Sequence, residues 1–275
     1  MGKTVQLNHT EIKEKLLEML EYLNQFMCKH NLQYSIMSGT MLGAVRHGGF
    51  IPWDDDIDIG MERSEFNRLI DIIHSEDNSD STYDFIGYEL GNAYWPFIKM
   101  IHKHVIVHEE NSKTDEHLWI DVFPFDYLPK ALGKVYPAFL GKTVKKLMDY
   151  KVSDDLCIEY KEKNDNMFIR GYLRILKYFS GKISFDIINS ILKHLSTCFS
   201  PNSELIMDLT WGTKPIPKAF FDEMADYRFE NLKVKGFHNY DGYLKCIYGD
   251  YMKLPPEEKR INHSIVAWSI LEDEE

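Results

Sequence analysis

The chain has 275 residues, 44% of them hydrophobic and 27% charged, which is the length and balance of a folded protein with a large core and excludes general disorder or collagen-like structure. Its 32 Lys and Arg against 43 Asp and Glu leave a net charge of −11, which disfavours nucleic acid as a partner. Four scattered cysteines without a Cys-x-x-Cys pair suit reduced cytosolic thiols, and neither an apolar run of 18 residues nor a signal-peptide-like start at residues 1–15 is present.

In chain order, residues 8–30 read as an amphipathic helix. Asn8 and Glu11 have capping-box spacing, and Ile12, Leu16, Leu20, Leu23 and Met27 recur at helical intervals. A short strand at 33–38 and a short helix at 40–47, starting just after Gly39, come next. Gly48, Gly49 and Pro52 mark a loop. Residues 56–61 alternate acidic and apolar, the period of a strand. A helix follows, capped by Ser64, with Phe66, Leu69, Ile70 and Ile73 on one face. Residues 76–81 are a polar loop. Further strands are expected at 83–90, 95–101, 105–108 and 118–123. Residues 130–195 differ: 13 Lys and Arg against 7 Asp and Glu make this mostly helical segment about +6 within an acidic chain.

The sharpest motif is Trp53-Asp54-Asp55-Asp56-Ile57-Asp58-Ile59-Gly60. Carboxylates two apart on a strand share a face, so Asp56 and Asp58 can hold one divalent ion together while Ile57 and Ile59 face the core. Two carboxylates with substrate phosphates are a common setting for Mg²⁺. Asp121, between apolar neighbours on another expected strand, can complete a metal site or act as general base. Ser38-Gly39-Thr40 stands at a strand-to-helix junction, where a glycine admits a phosphate to free helix N–H groups. Arg46 on that helix suits a bidentate phosphate contact. An EF-hand loop is rejected, because Ile59 stands where its glycine is required. A P-loop is rejected because Tyr136 replaces its first glycine.

Residues 38–47 and 49–61 closely resemble the signature of the LicD family, bacterial phosphocholine transferases related to fukutin and fukutin-related protein. The similarity continues through residues 119–124, 248–252 and Pro255-Pro256. The resemblance implies an α+β, nucleotidyltransferase-like mixed sheet flanked by helices. The change of composition near Pro129 divides the chain into a core at 1–129, a basic helical insertion at 130–200, and a part at 201–275 that completes the core and active site. The resemblance places Asp56, Asp58 and Asp121 as the catalytic and metal-binding carboxylates of a Mg²⁺ site. Ser38, Gly39 and Thr40 fall on the phosphate-holding turn, with Arg46 and Trp53 as further substrate contacts. The implied donor is a CDP-alcohol, with CDP-choline favoured over CDP-glycerol or CDP-ribitol. The implied acceptor is a sugar or alditol of teichoic acid, lipopolysaccharide or capsule, free or lipid-linked.

A choline head group needs aromatic faces. Trp53, Trp95, Trp211, Tyr94, Tyr240 and Tyr243 are the candidates. The basic insertion, with Arg170, Arg174, Lys177 and Lys182 beside Phe168, Tyr172 and Phe179, reads either as a solvated helix face packed on the core or as a basic amphipathic helix that rests on an anionic membrane, which would put the protein at the inner face of the cell membrane. The rival reading is a non-catalytic nucleotide- or calcium-binding regulator. Retention of all three carboxylates favours the enzyme.

Overall fold

Asn8 caps the longest helix, as its spacing to Glu11 predicts. Its side chain accepts from the Thr10 and Glu11 N–H groups at 2.9 and 3.1 Å, and Glu11 Oε2 accepts from the Asn8 N–H at 2.7 Å. The computed structural model describes residues 4–76, 82–109, 112, 114–128, 142–152, 167–197, 202–210, 214–260 and 265–271. The elements are β1 (Thr4–Leu7), α1 (His9–Lys29), β2 (Ser35–Ile36), α2 (Ser38–His47), β3 (Asp58–Glu62), α3 (Arg63–Ser75), β4 (Tyr83–Ile86), β5 (Ile98–Glu109) and β6 (Glu116–Leu128). They continue with α4 (Lys142–Val152), α5 (Met167–Ser180), α6 (Phe185–Thr197), β7 (Leu205–Asp208), β8 (Ile216–Pro217), β9 (Met224–Phe229), β10 (Leu232–Phe237), α7 (Tyr240–Tyr248) and β11 (Ile265–Ile270). None of the described helices is long and apolar enough to cross a membrane.

The strands form one mixed sheet in the order β1-β11-β5-β6-β3-β2-β10-β9, with β4 beside β5 and with β7 joining β6 to β8. The architecture is α+β, as expected. β5 is long and bulged between His102 and Ile106; it pairs β4 before the bulge and β11 beyond it. The separate strands expected at 95–101 and 105–108 are therefore one bent strand, since a bulge breaks the ladder without ending it. The strand expected to run to residue 90 stops at Ile86, and Tyr88–Leu90 forms a 3-10 turn. The polar loop expected at 76–81 lies mostly outside the described residues.

The main core is built from both ends of the sequence. α1 buries Leu16, Met19, Leu20, Leu23 and Met27, and the same cluster takes in Ile57, Ile59, Val122, Phe229 and Phe237. The helices of the basic segment use smaller clusters. Val144, Met148, Ile188 and Leu192 pack on Leu128 and Met207, while Leu173 and Leu176 pack on Tyr150. α3 is clamped to β6 by a buried guanidinium: Arg63 donates to Asp126 Oδ1 at 2.5 Å and to Glu89 Oε1 at 2.8 Å.

Two boundaries differ from expectation where the site is concerned. α2 begins at Ser38, so Gly39 lies in its first turn rather than ahead of it. β3 begins at Asp58, so Asp56 and Ile57 belong to the approach to the strand. The reason is pairing: Asp58 is where the ladder with β6 starts, and the aspartates before it are held by the loop instead.

Candidate active site

Asp58 is fixed by its backbone on both sides. Its N–H donates to Thr40 Oγ1 at 2.9 Å, and its carbonyl accepts from the Met37 N–H at 3.0 Å. Thr40 is buried, so its hydroxyl oxygen serves to lock α2 against β3. In the parallel pair of β3 and β6, Asp58 stands opposite Asp121. In the antiparallel pair of β5 and β6, Asp121 stands opposite Lys99. Asp58, Asp121 and Lys99 thus form one row across three strands, at the spacing of about 4.8 Å that neighbouring strands keep. Asp56 comes from the loop beside this row.

The electrostatics of the row follow from its depth. Burial, and then the negative charges of Asp56, Asp121, Asp54 and Asp208, hold the Asp58 carboxyl well above the usual carboxylate range. Burial raises Asp121 to about 6, opposed by Lys99 and by the indole N–H of Trp119, which donates to Asp121 Oδ2 at 3.2 Å. The other oxygen, Asp121 Oδ1, is buried without a hydrogen-bond partner. Lys99 is itself confined: its ammonium lies 4.1 Å from the ring centre of Trp95 and 3.9 Å from that of Trp119, and donates to Glu116 at 2.9 Å.

A cavity of about 490 Å³ opens in front of Asp58. Ser38, Gly39 and Arg46 of α2 form one wall, and Trp53, Asp54 and Asp56 of the following loop form another. Tyr248, Asp250, Tyr251 and Lys253 cover it from the far end of the sequence. Ser38 adopts a left-handed backbone (φ 48°), which suits glycine better, and its N–H donates to the Tyr243 hydroxyl at 3.0 Å. A Cβ on Gly39 would stand 2.5 Å from Asp54 Oδ2. The space that this glycine opens at the head of α2 therefore receives the Asp54 carboxylate, a charge suited to a helix N-terminus. Arg46 donates to the Tyr251 carbonyl at 2.8 Å and to His47 Nε2 at 2.9 Å, which ties the end of α2 to the covering turn. Trp53 carries the Arg260 guanidinium 5.0 Å from its ring centre.

Of the aromatic candidates, Trp53 lines the cavity. Trp95 has its face taken by Lys99, Tyr94 stacks on Phe185 at 4.4 Å, and Tyr243 is buried with its hydroxyl engaged by Ser38. Tyr240 sits edge-on to Tyr227, away from the cavity walls, and Trp211 lies outside the described residues. Sequence reasoning did not assign Tyr248, Asp250 and Lys253, nor Lys99 of the row and Trp119, whose indole N–H donates to Asp121. The resemblance takes in Tyr248-Gly249-Asp250-Tyr251 without giving it a role, and α7 carries this segment over the cavity.

The donor set suits a divalent cation that takes part of its shell from a ligand. Among the described residues, no three His, Cys, Asp or Glu side chains are gathered closely enough to hold an ion alone. The partnerless Asp121 oxygen and the mutual repulsion around Asp58 are what a cation would relieve, and Mg²⁺ is commonly held by one or two carboxylates with phosphates and water completing the octahedron.

Residues 31–139 match a family model described as LicD/FKTN/FKRP, nucleotidyltransferase domain. The chain is 28% identical over 262 residues to the lipopolysaccharide cholinephosphotransferase LicD of Haemophilus influenzae, a match covering 93% of this chain and 95% of that protein. It is 37% identical over 98 residues to the uncharacterized protein RP689 of Rickettsia prowazekii, covering 36% and 35% of the two chains. The matched domain contains Ser38, Asp58 and Asp121, and the longer match runs on through the segments that cover the cavity: residues 31–139 match the LicD family model, and the chain as a whole is similar to a LicD protein.

Proposed function

We propose that the protein is a phosphotransferase that moves phosphocholine from CDP-choline to a sugar or alditol hydroxyl of a cell-surface glycopolymer such as lipopolysaccharide. The observation that carries this reading is the row of Asp58 and Asp121 behind a cavity of about 490 Å³, a volume in the range of small-molecule sites. The full-length likeness to a cholinephosphotransferase supports the head group.

In the proposed reaction, the acceptor oxygen forms a bond to the phosphorus that bears choline. The bond from that phosphorus to the oxygen bridging the two phosphates breaks, and CMP leaves with the electron pair. The hydroxyl proton passes to a carboxylate, for which Asp121, with one oxygen left without a hydrogen-bond partner, is the candidate. Asp56, Asp58 and Asp121 would hold Mg²⁺, which when bound neutralises charge on the diphosphate. Arg46 steadies the non-bridging oxygens. Trp53 and Tyr248, which line the cavity, offer aromatic surface to the quaternary ammonium.

The test is release of CMP from CDP-choline in the presence of Mg²⁺ and a lipopolysaccharide acceptor, with CDP-glycerol and CDP-ribitol in parallel. CMP release with choline appearing on the acceptor supports the reading. Turnover of an alditol donor alone would keep the chemistry and replace the head group. No turnover of any of the three would overturn it.

A further inference from the structure

The β9–β10 hairpin turns at Glu230, whose backbone is left-handed (φ 55°), a place that favours glycine in a two-residue turn. The side chain works 180 residues away in the sequence: Glu230 Oε1 accepts from the Phe50 N–H at 3.0 Å. The backbone meets the same loop, since the Glu230 N–H donates to the Gly48 carbonyl at 2.8 Å. The Arg228 guanidinium donates to the Glu230 carbonyl at 2.8 Å and braces the turn. The Phe229 ring lies edge-on to Phe50, with centres 4.9 Å apart.

This turn gives the two glycines of the loop their reason. Gly48 is left-handed (φ 72°), and a Cβ on Gly49 would collide with the Glu230 carboxylate. From the other side, α1 grips the residues that follow. The Lys13 ammonium donates to the Ile51 and Pro52 carbonyls, each at 3.4 Å, and lies 5.0 Å from the Phe50 ring centre. The Asp54 N–H then closes a turn onto the Ile51 carbonyl at 2.9 Å. The loop is thus held from Gly48 to Asp54, and Ile51, Trp53, Asp54 and Asp56 line the cavity. Glu230 is not one of the lining residues, so whatever it does for the cavity it does through this loop.

We propose that Glu230 is a positioning residue for the transfer reaction: with Lys13 it seats the loop that brings Asp54 and Asp56 to the cavity. The part given to those carboxylates rests on the proposed function; the grip on the loop does not.

The experiment reads hydrogen exchange of the metal-free protein beside the Mg²⁺ dependence of CMP release from CDP-choline. Glu230→Gly removes the carboxylate and relieves the left-handed backbone, so it should melt near the wild-type temperature. In that variant the Phe50 backbone amide should exchange at least about ten-fold faster, with the amides of β5 and β6 unchanged. The Mg²⁺ concentration for half-maximal rate should rise about ten-fold, while the rate at saturating Mg²⁺ stays within about three-fold of wild type. Glu230→Gln keeps an oxygen for the Phe50 N–H and should recover most of both losses. Glu230→Asn also tolerates the left-handed backbone but is one methylene short of Phe50, and it guards against a fold defect in the glycine variant. The proposal fails if the Phe50 amide exchanges at the wild-type rate in the Gly and Asn variants. It fails equally if the rate falls while the Mg²⁺ dependence stays put, the mark of a merely structural residue, or if Glu230→Gln behaves as Glu230→Gly does. If the wild type releases no CMP from any CDP-alcohol, the functional reading falls, and exchange still decides whether Glu230 seats the loop.

Discussion

Asp58 is a carboxylate that the fold keeps in an unfavourable place. Burial and four neighbouring acids penalise its charge and hold its carboxyl well above the usual carboxylate range. Asp58→Asn removes the charge and retains the shape. Transfer should fall by about a thousand-fold or more, while the cation-free protein gains on the order of 1 kcal/mol or more of stability. A thermal melt in chelator beside a CMP-release assay checks both signs; a variant that is both inactive and less stable would contradict the account. Trp119 does different work. Its ring face supports Lys99 and its N–H holds Asp121 Oδ2. Trp119→Phe keeps a ring and deletes the donor. The expected result is a fall in kcat of about ten-fold with KM nearly unchanged, the signature of a group that orients a reacting residue.

At the scale of elements, α2 and the loop after it meet so closely that no side chain fits between them. A Cβ on Gly43 would lie 2.4 Å from the carbonyl oxygen of Gly49 and 3.3 Å from the Ile51 nitrogen. Intrinsic helix propensity favours alanine by about 1 kcal/mol at such a position. The contact is with backbone, which yields little, so Gly43→Ala should instead destabilise by roughly 2 kcal/mol and lower the urea midpoint. The same closeness explains what could be read from the sequence. The acidic-apolar alternation of residues 56–61 identified the carboxylates and the core-facing Ile57 and Ile59, because period two is a local property. The start of β3 at Asp58 was not legible, because it is set by where β6 pairs. The use of Asp54 at the head of α2 depends on a loop closing back over a helix, and no local pattern records that closure. Tyr248 and Asp250 are further cases, since they reach the cavity only when α7 packs beside α2.

For the whole molecule, acid stability offers a test of burial at a distance from the site. His102 is buried in β5 with the Tyr83 ring edge-on at 5.3 Å, and burial, helped by Lys15 and His104, lowers its pKa from 6.5 to about 4. The unfolded chain therefore takes up the proton first. This contribution is intact above about pH 6.5 and is lost as the pH falls toward 4, on the order of 2 kcal/mol in all. Asp58 and Asp121, raised in the fold, act in the opposite sense, so the comparison must be made against a variant. His102→Gln should show a flatter fall in urea midpoint between pH 7 and pH 5 than the wild type; parallel curves would rule out the buried neutral imidazole.

The pairing of β1 with β11 has a consequence for biosynthesis. A strand at residues 4–7 leaves the ribosome early, yet the ladder it joins, Thr4 opposite Ile270 and Leu7 opposite Ala267, is made of residues translated near the other end of the sequence. β11 also covers β5 from Val105 to Glu109, so that length of backbone has no β11 partner while translation is under way. Contacts so distant along the chain form slowly, and an open strand edge is prone to pair with a neighbour's. The nascent protein thus passes through a stage in which its sheet is incomplete on that side, and chaperone protection would matter most during that interval.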